Sequence, residues 1–350
     1  MHGLKKEKMT GSVNLISFSS AIADARQFSK RHILLGNGFS IACRPGIFRY
    51  GRLYEQADFS KLSPSAKKAF ETLRTEDFEK VIKALRSAAS ILKAYDGVDP
   101  TLINALKRDA EGLKELLVQT IANSHPEWPS EIRESEYAAC LQFLSNFNTV
   151  YTLNYDLLLY WAQMHDDMTK EKSDDGFRKS EDDPEAPYVT WDPSNSHRQK
   201  TWFLHGALHL FDAETEIQKY TWINTGVRLI EQIRDALNCG LFPIFVSEGT
   251  SNEKLSRIRH NDYLAKAYRS FSEITGALFI YGHSLASNDD HFLKRIEKGK
   301  INKVYLGIYG DPNSSSNREI IYRAMKMPSR RKRGSGLSVT FFDTSSVKVW

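Results

Sequence analysis

The sequence predicts an α/β fold: a Rossmann-like parallel sheet covered by helices on both faces, with a helical insertion. Three observations predict it. An apolar run, His32-Ile33-Leu34-Leu35, stops at Gly36-Asn37-Gly38-Phe39-Ser40, as the first strand of a nucleotide-binding sheet gives way to its glycine turn. From residue 146 onward, β-branched and aromatic runs alternate with helical periodicity, the pattern of a parallel sheet with helical crossovers. Between the two, residues 60–145 show helical spacing alone, far more chain than one crossover helix needs.

Residues 1–30 read as a polar lead-in with one short helix near 20–28, and the first strand is 32–35. Residues 43–51, CRPGIFRYG, are rich in breakers and read as a loop, with the aromatics and arginines of a flap over a ligand. Phe78, Val81, Ile82, Leu85, Ala89 and Leu92 recur at helical spacing and predict a helix over 76–94. Leu106, Leu113, Leu116, Leu117 and Ile121 predict another over 101–123, and a third is expected over 131–145. Strand character returns at Thr149-Val150-Tyr151-Thr152-Leu153, whereas 166–187 is charged, nearly free of large apolar residues, and reads as a solvated loop. Further strands are expected at 201–205, 241–246, 277–281, 303–308 and 338–342, with helices over 226–238, 251–273, 288–298 and 317–326. The predicted division is a lead-in over 1–30, a Rossmann-like domain built from 31–56 and 146–343, and a helical insertion over 60–145.

Composition narrows the function classes. A chain of 350 residues, 41% hydrophobic and 26% charged, is of the ordinary globular type and can bury a sizeable core. No apolar run is long enough to cross a bilayer, and the N-terminal lysines precede no sustained apolar stretch, so a cytoplasmic chain without membrane contact is expected. Cys43, Cys140 and Cys239 lie far apart, which argues against a disulfide framework and against a zinc ribbon; no metal is expected. The net charge of +5 is mild and does not call for direct contact with nucleic acid. The basic run Lys326 to Arg333 has no interleaved aromatics and reads as a solvated loop.

Four strings stand at the C-terminal ends of predicted strands. They are Gly36-Asn37-Gly38-Phe39-Ser40, Thr152-Leu153-Asn154-Tyr155-Asp156, His205-Gly206 and Gly282-His283-Ser284-Leu285. Ligands of open α/β sheets bind beyond those ends. Each string alone has an ordinary reading: a tight turn for the glycines, caps for Asn37, Ser40, Asn154, Asp156 and Ser284, and a packed strand end for His205. Asn288-Asp289-Asp290-His291 reads as a capped helix start rather than a metal site, and His209 as a packing residue. Glu55 and Asp58 stand near the spacing of a ribose-binding carboxylate, which chance also supplies.

In this order the four strings resemble the sirtuin superfamily, where they appear as Gly-Ala-Gly-x-Ser, Thr-Gln-Asn-x-Asp, His-Gly and Gly-Thr-Ser. Gly46-Ile47-Phe48-Arg49 is similar to that family's cofactor loop, and the resemblance covers about 31–56, 146–162, 200–210 and 240–310. There are departures: the four-cysteine zinc module of the deacylating members is missing, and Leu153 stands where they have glutamine. The pattern is closer to the sirtuin-like domains of bacterial antiphage effectors, which hydrolyse NAD+. Ser247 to Leu255 also resembles a bacterial sirtuin-like family, but strand order places the Gly-Thr-Ser equivalent at Gly282-His283-Ser284 rather than Gly249-Thr250-Ser251.

The resemblance implies an NAD+ hydrolase, a defence effector that releases nicotinamide and ADP-ribose, with NAD+ as substrate. It also implies a homo-oligomer and a defence-system partner protein. Asn154 would orient a water or a ribose hydroxyl, because its amide both donates and accepts. His205 would take the proton. Asp156 would fix the loop or stabilise the developing positive charge. Gly36, Asn37, Gly38, Ser40, Gly282, His283 and Ser284 would hold the dinucleotide. Two alternatives are a module that binds NAD+ or ADP-ribose without turnover, and a scaffold whose helical insertion docks an oligomeric partner such as a DNA translocase.

Overall fold

The computed structural model describes residues 13–165, 174–180, 183–221, 225–246, 250–331 and 336–350. Its strands are β1 (Arg31–Leu35), β2 (Thr149–Thr152), β3 (Phe177–Arg178), β4 (Tyr188–Trp191), β5 (Thr201–Phe203), β6 (Leu210–Asp212), β7 (Ile217–Tyr220), β8 (Thr275–Tyr281), β9 (Lys300–Ile308) and β10 (Ser338–Asp343). The first helices are α1 (Phe18–Ala25), α2 (Gly38–Cys43), α3 (Pro45–Phe48), α4 (Tyr50–Gln56), α5 (Pro64–Leu73), α6 (Phe78–Leu92), α7 (Pro100–Ser124) and α8 (Glu134–Leu144). They are followed by α9 (Leu158–His165), α10 (Leu229–Asn238), α11 (Ser251–Arg259), α12 (Asp262–Ser272), α13 (Asp290–Lys298) and α14 (Ser315–Lys326).

β1 lies inside a six-stranded sheet of order β10-β9-β8-β1-β2-β5, every pair parallel. Covered on both faces, it reads as a continuous apolar run, and Ile33, Leu34 and Leu35 have no exposed surface. The chain builds outward from β1 through β2 and β5, then returns to its other side with β8, β9 and β10. That reversal is the Rossmann-like arrangement, and it opens a topological switch point between β1 and β8. Register levels the rim. Leu35 lies opposite Thr152 and Tyr281, and Thr152 lies opposite Phe203, so the residues after β1, β2, β5 and β8 leave the sheet side by side.

All helices described between β1 and β2 belong to one run, α2 to α8. Asp77 caps α6 at Lys80 N (3.2 Å) and Asp99 caps α7 at Thr101 N (2.8 Å). Phe78, Val81, Ile82 and Leu85 bury the inner stripe of α6.

Several segments depart from expectation. Residues 43–51 are helical turns rather than a loop. Pro45 sits at the start of α3, where its missing N–H has no partner to lose, and Arg44 anchors the turn to Glu136 at 3.0 Å. Residues 241–246 are not a sheet strand. They run extended beside the chain after β5, bonded by Ile244 N to Leu210 O (2.7 Å) and Val246 N to His205 O (2.9 Å), with a bridge between Gly206 and Phe245. The helix expected over 251–273 breaks at Asn261, whose side chain caps α12 at Leu264 N (3.0 Å). An antiparallel sheet of order β3-β4-β7-β6 was not foreseen, because its strands are two to four residues long. β3 falls within the expected 166–187 loop, of which 166–173 and 181–182 lie outside the described residues.

The basic run is not simply solvated. Arg331 donates to Ile296 O (2.6 Å) and Glu297 O (3.1 Å) at the end of α13, and Arg330 pairs with Glu297 at 2.7 Å. Lys332 and Arg333 lie outside the described residues, as do 1–12 of the lead-in. Near the other end of the fold Trp350 is buried, its ring 4.9 Å from Phe39 and its Nε1 donating to Phe39 O at 2.9 Å. No helix among the described residues is long and apolar enough to cross a membrane.

Candidate active site

The rim of the switch point is built first from backbone. A Cβ on Gly38 would lie 2.4 Å from Gly282 Cα, and one on Gly36 would lie 2.6 Å from Gly282 O. Gly282 itself has φ +69, the left-handed region open to glycine. Gly36 N donates to Tyr281 O and Gly38 N to Gly282 O, both at 2.9 Å. The glycines of the first and fourth strings therefore interlock. Their small size admits the facing loop. Leu285 follows with φ +53, a strained value for a branched residue, held by its N–H donating to His283 Nδ1 (3.0 Å) and by complete burial of its side chain.

The first and second strings meet through side chains. Asn154 Nδ2 donates to Ser40 Oγ at 2.8 Å, and Ser40 Oγ donates to Asp156 Oδ2 at 2.5 Å. The other oxygen of Asp156 accepts from Leu158 N at 2.9 Å, an Asx turn at the start of α9. All three side chains are buried, and burial raises the Asp156 carboxyl above its ordinary range while the Ser40 hydroxyl and Leu158 N–H pull it back. Cap readings fail for Asn37, which makes no side-chain cap bond and donates to Phe48 O at 3.0 Å, and for Ser40, which sits inside α2. Ser284 is exposed at the rim.

His205 stands two residues beyond β5. The turn after it requires glycine, since a Cβ on Gly206 would meet Ile244 O at 1.9 Å. The Tyr155 ring stacks toward the His205 ring at 6.3 Å. Burial, then the Lys254 charge, holds the imidazole well below its ordinary range, so it is neutral at pH 7 and only weakly basic. Its Nε2 is buried without a hydrogen-bond partner among the described residues and faces Asp289 Oδ1 at 3.7 Å.

Asp289 is the residue that sequence reasoning misplaced. It occupies the N-cap position of α13 but makes no side-chain cap bond. Its carboxylate turns into a buried polar cluster instead. Oδ2 accepts from His283 Nε2 at 3.0 Å, and Oδ1 meets the Lys254 ammonium at 3.2 Å. Lys254 also pairs with Glu79 at 3.2 Å, and Asn288 Nδ2 donates to the same Glu79 oxygen at 2.9 Å. Burial opposes its ionisation, but Lys254 and His283 hold Asp289 well below the usual carboxylate range. Burial pushes Glu79 up to about 7. His291 completes the group, with its ring 5.7 Å from that of His205. The sequence signals for this cluster were the Asn288–His291 string and the histidines of the third and fourth strings, His205 and His283. Lys254 and Glu79 gave none, because a charged residue at a helical position ordinarily marks a solvated face.

A cavity of about 670 Å³ lies at the opposite ends of the strands, lined by Arg31, His32, Asn148 and Lys200 among others. Glu55 is on the surface with Arg52, and Asp58 caps a turn at Ser60, so neither reaches the site. Thr250 forms a capping box with Glu253, and Ser247 to Gly249 lie outside the described residues. The family described as a domain of unknown function (DUF4917) matches residues 33–350. No curated protein matches the chain.

Proposed function

We propose that this chain, which belongs to the DUF4917 family, hydrolyses the N-glycosidic bond of NAD+ to give nicotinamide and ADP-ribose. The observation that carries the reading is the Asn154–Ser40–Asp156 hydrogen-bond chain at the switch point of the sheet, with a neutral histidine at the end of the next strand. The amide of Asn154 is locked through its nitrogen, which presents Oδ1 to a water or a ribose hydroxyl. As nicotinamide leaves with the bonding electron pair, the ribose becomes an oxocarbenium-like cation, and the Asp156 carboxylate offsets that charge from behind Ser40. Water adds to the anomeric carbon and its proton passes to His205. On the resemblance to antiphage effectors, the reaction would deplete NAD+ in an infected bacterial cell, within an oligomer or beside a defence partner.

The burial that keeps His205 a weak base favours a second reading, a module that binds NAD+ or ADP-ribose without turnover. One assay separates the two. Nicotinamide release and calorimetric NAD+ binding are measured on the purified chain, alone and with the products of neighbouring genes. Release supports the hydrolase, whereas binding without release under every condition replaces it with the sensor.

A further inference from the structure

We propose that His205, Asp289 and His291 form a binding site for a divalent transition metal, and that zinc bound there blocks the proton acceptor. The inhibitory part rests on the hydrolase reading above; the site does not. One ligand atom from each of the three buried residues lies within 4.8 Å of the others. The Nε2 atoms of both His205 and His291 are buried and have no hydrogen-bond partner among the described residues. Buried polar atoms are ordinarily satisfied, so two adjacent orphaned imidazole nitrogens mark a place for a ligand. The donor set of two imidazoles and one carboxylate suits zinc and its neighbours, whereas magnesium and calcium favour all-oxygen sites.

The second layer is already in place. Ser251 Oγ lies 3.2 Å from His291 Nδ1, which leaves Nε2 of that ring for a ligand. His283 Nδ1 accepts the Leu285 N–H, so the proton of that ring is on Nε2, where it is donated to Asp289 Oδ2 and leaves Oδ1 for the metal. The 3.7 Å between His205 Nε2 and Asp289 Oδ1 is close to the edge of a zinc tetrahedron, about 3.3 Å for bonds of about 2.0 Å.

Lys254 is the competitor. Its ammonium lies 3.2 Å from Asp289 Oδ1 and 3.2 Å from Glu79 Oε2, so two carboxylates share one cation. Zinc at Asp289 leaves Lys254 with Glu79. The site is therefore one that acquires metal when zinc is plentiful, in contrast with a structural zinc that folds the chain. The spacing of the ligands hid it, because His205 comes from the far side of the sheet.

The test is calorimetric titration of the EDTA-stripped full chain with zinc chloride, with cobalt(II) as a spectroscopic probe of imidazole coordination. About one zinc per chain is expected. His291→Gln should weaken binding on the order of 100-fold, the upper end of what even outer-shell changes cost. Lys254→Met should tighten it at least about tenfold, by removing the competing charge. No stoichiometric zinc binding, or unchanged affinity in a folded His291→Gln, overturns the site. Where nicotinamide is released, zinc should suppress release in the unmodified chain at concentrations that leave His291→Gln uninhibited; zinc-independent release overturns the inhibitory role. If nicotinamide is never released, the hydrolase reading fails, and the zinc affinities alone decide the site.

Discussion

At Ser40 one hydroxyl accepts from Asn154 and donates to Asp156, and all three groups are buried. Ser40→Ala should therefore leave a buried amide hydrogen and a buried carboxylate oxygen unpartnered. We expect a loss of about 1–3 kcal/mol in urea unfolding, the cost of orphaned buried polar atoms. Asn154→Ala and His205→Ala should each lower nicotinamide release by about 10²–10⁴ while calorimetry still detects NAD+ binding, as for a positioned acid–base group. Full activity in both variants would dismiss the roles assigned to them. Asn154, Asp156 and His205 were legible in the sequence because each closes a β-branched or aromatic run. Asp289 was not, since aspartate before a helix ordinarily caps it, and only tertiary structure shows the carboxylate turned toward Lys254 instead.

The glycine loops act as elements. Gly38 and Gly282 touch backbone to backbone, so neither accepts a side chain unless the loops part. Gly282→Ala adds a left-handed alanine to that overlap. We expect it to cost at least about 2 kcal/mol in chemical denaturation, whether or not NAD+ is present. A stable Gly282→Ala that has lost only NAD+ binding would assign these glycines the role of admitting a pyrophosphate. The long helices were legible because their apolar stripes repeat at 3.6 residues: α6 and α7 fall within two residues of expectation. The short antiparallel strands carry too few residues to show a period. Residues 241–246 are apolar and β-branched like a strand, but Pro243 lacks a donor and the segment makes only isolated bonds, to Leu210 at the start of β6 and to the His205 turn.

At the scale of the molecule, the helical run between β1 and β2 reaches back to the site through Glu79 on α6, which holds Lys254 and Asn288. Burial raises the Glu79 pKa from 4.5 to about 7. The folded state then binds more protons than the unfolded chain between those values, so stability from this group falls as pH rises from about 4.5 to 7. With 18% of the Glu79 side chain still exposed, the effect is on the order of 2 kcal/mol, discounted for solvent from about 1.4 kcal/mol per unit. Urea titrations across that range should show the unmodified chain losing stability relative to Glu79→Gln; the opposite slope would mean that Lys254 keeps the carboxylate ionised throughout. That an α/β sheet was present could be read from alternating strands and helices, whereas the contact from α6 to α11 could not, because it depends on how the run folds back.

The interlock of Gly38 with Gly282 also sets a timetable for synthesis. The two glycines are separated by most of the chain, and β1 has its partner strand β8 only after the whole helical run and the antiparallel sheet have been translated. At roughly 5–20 residues per second, the nascent chain carries an unclosed rim for roughly ten seconds to a minute. Ribosome-bound fragments ending before residue 275 can hold Ser40, Asn154 and His205 and still lack the wall that shapes their site. On the proposed hydrolase reading, such fragments would not cleave NAD+, and activity would begin only once β8 has been made.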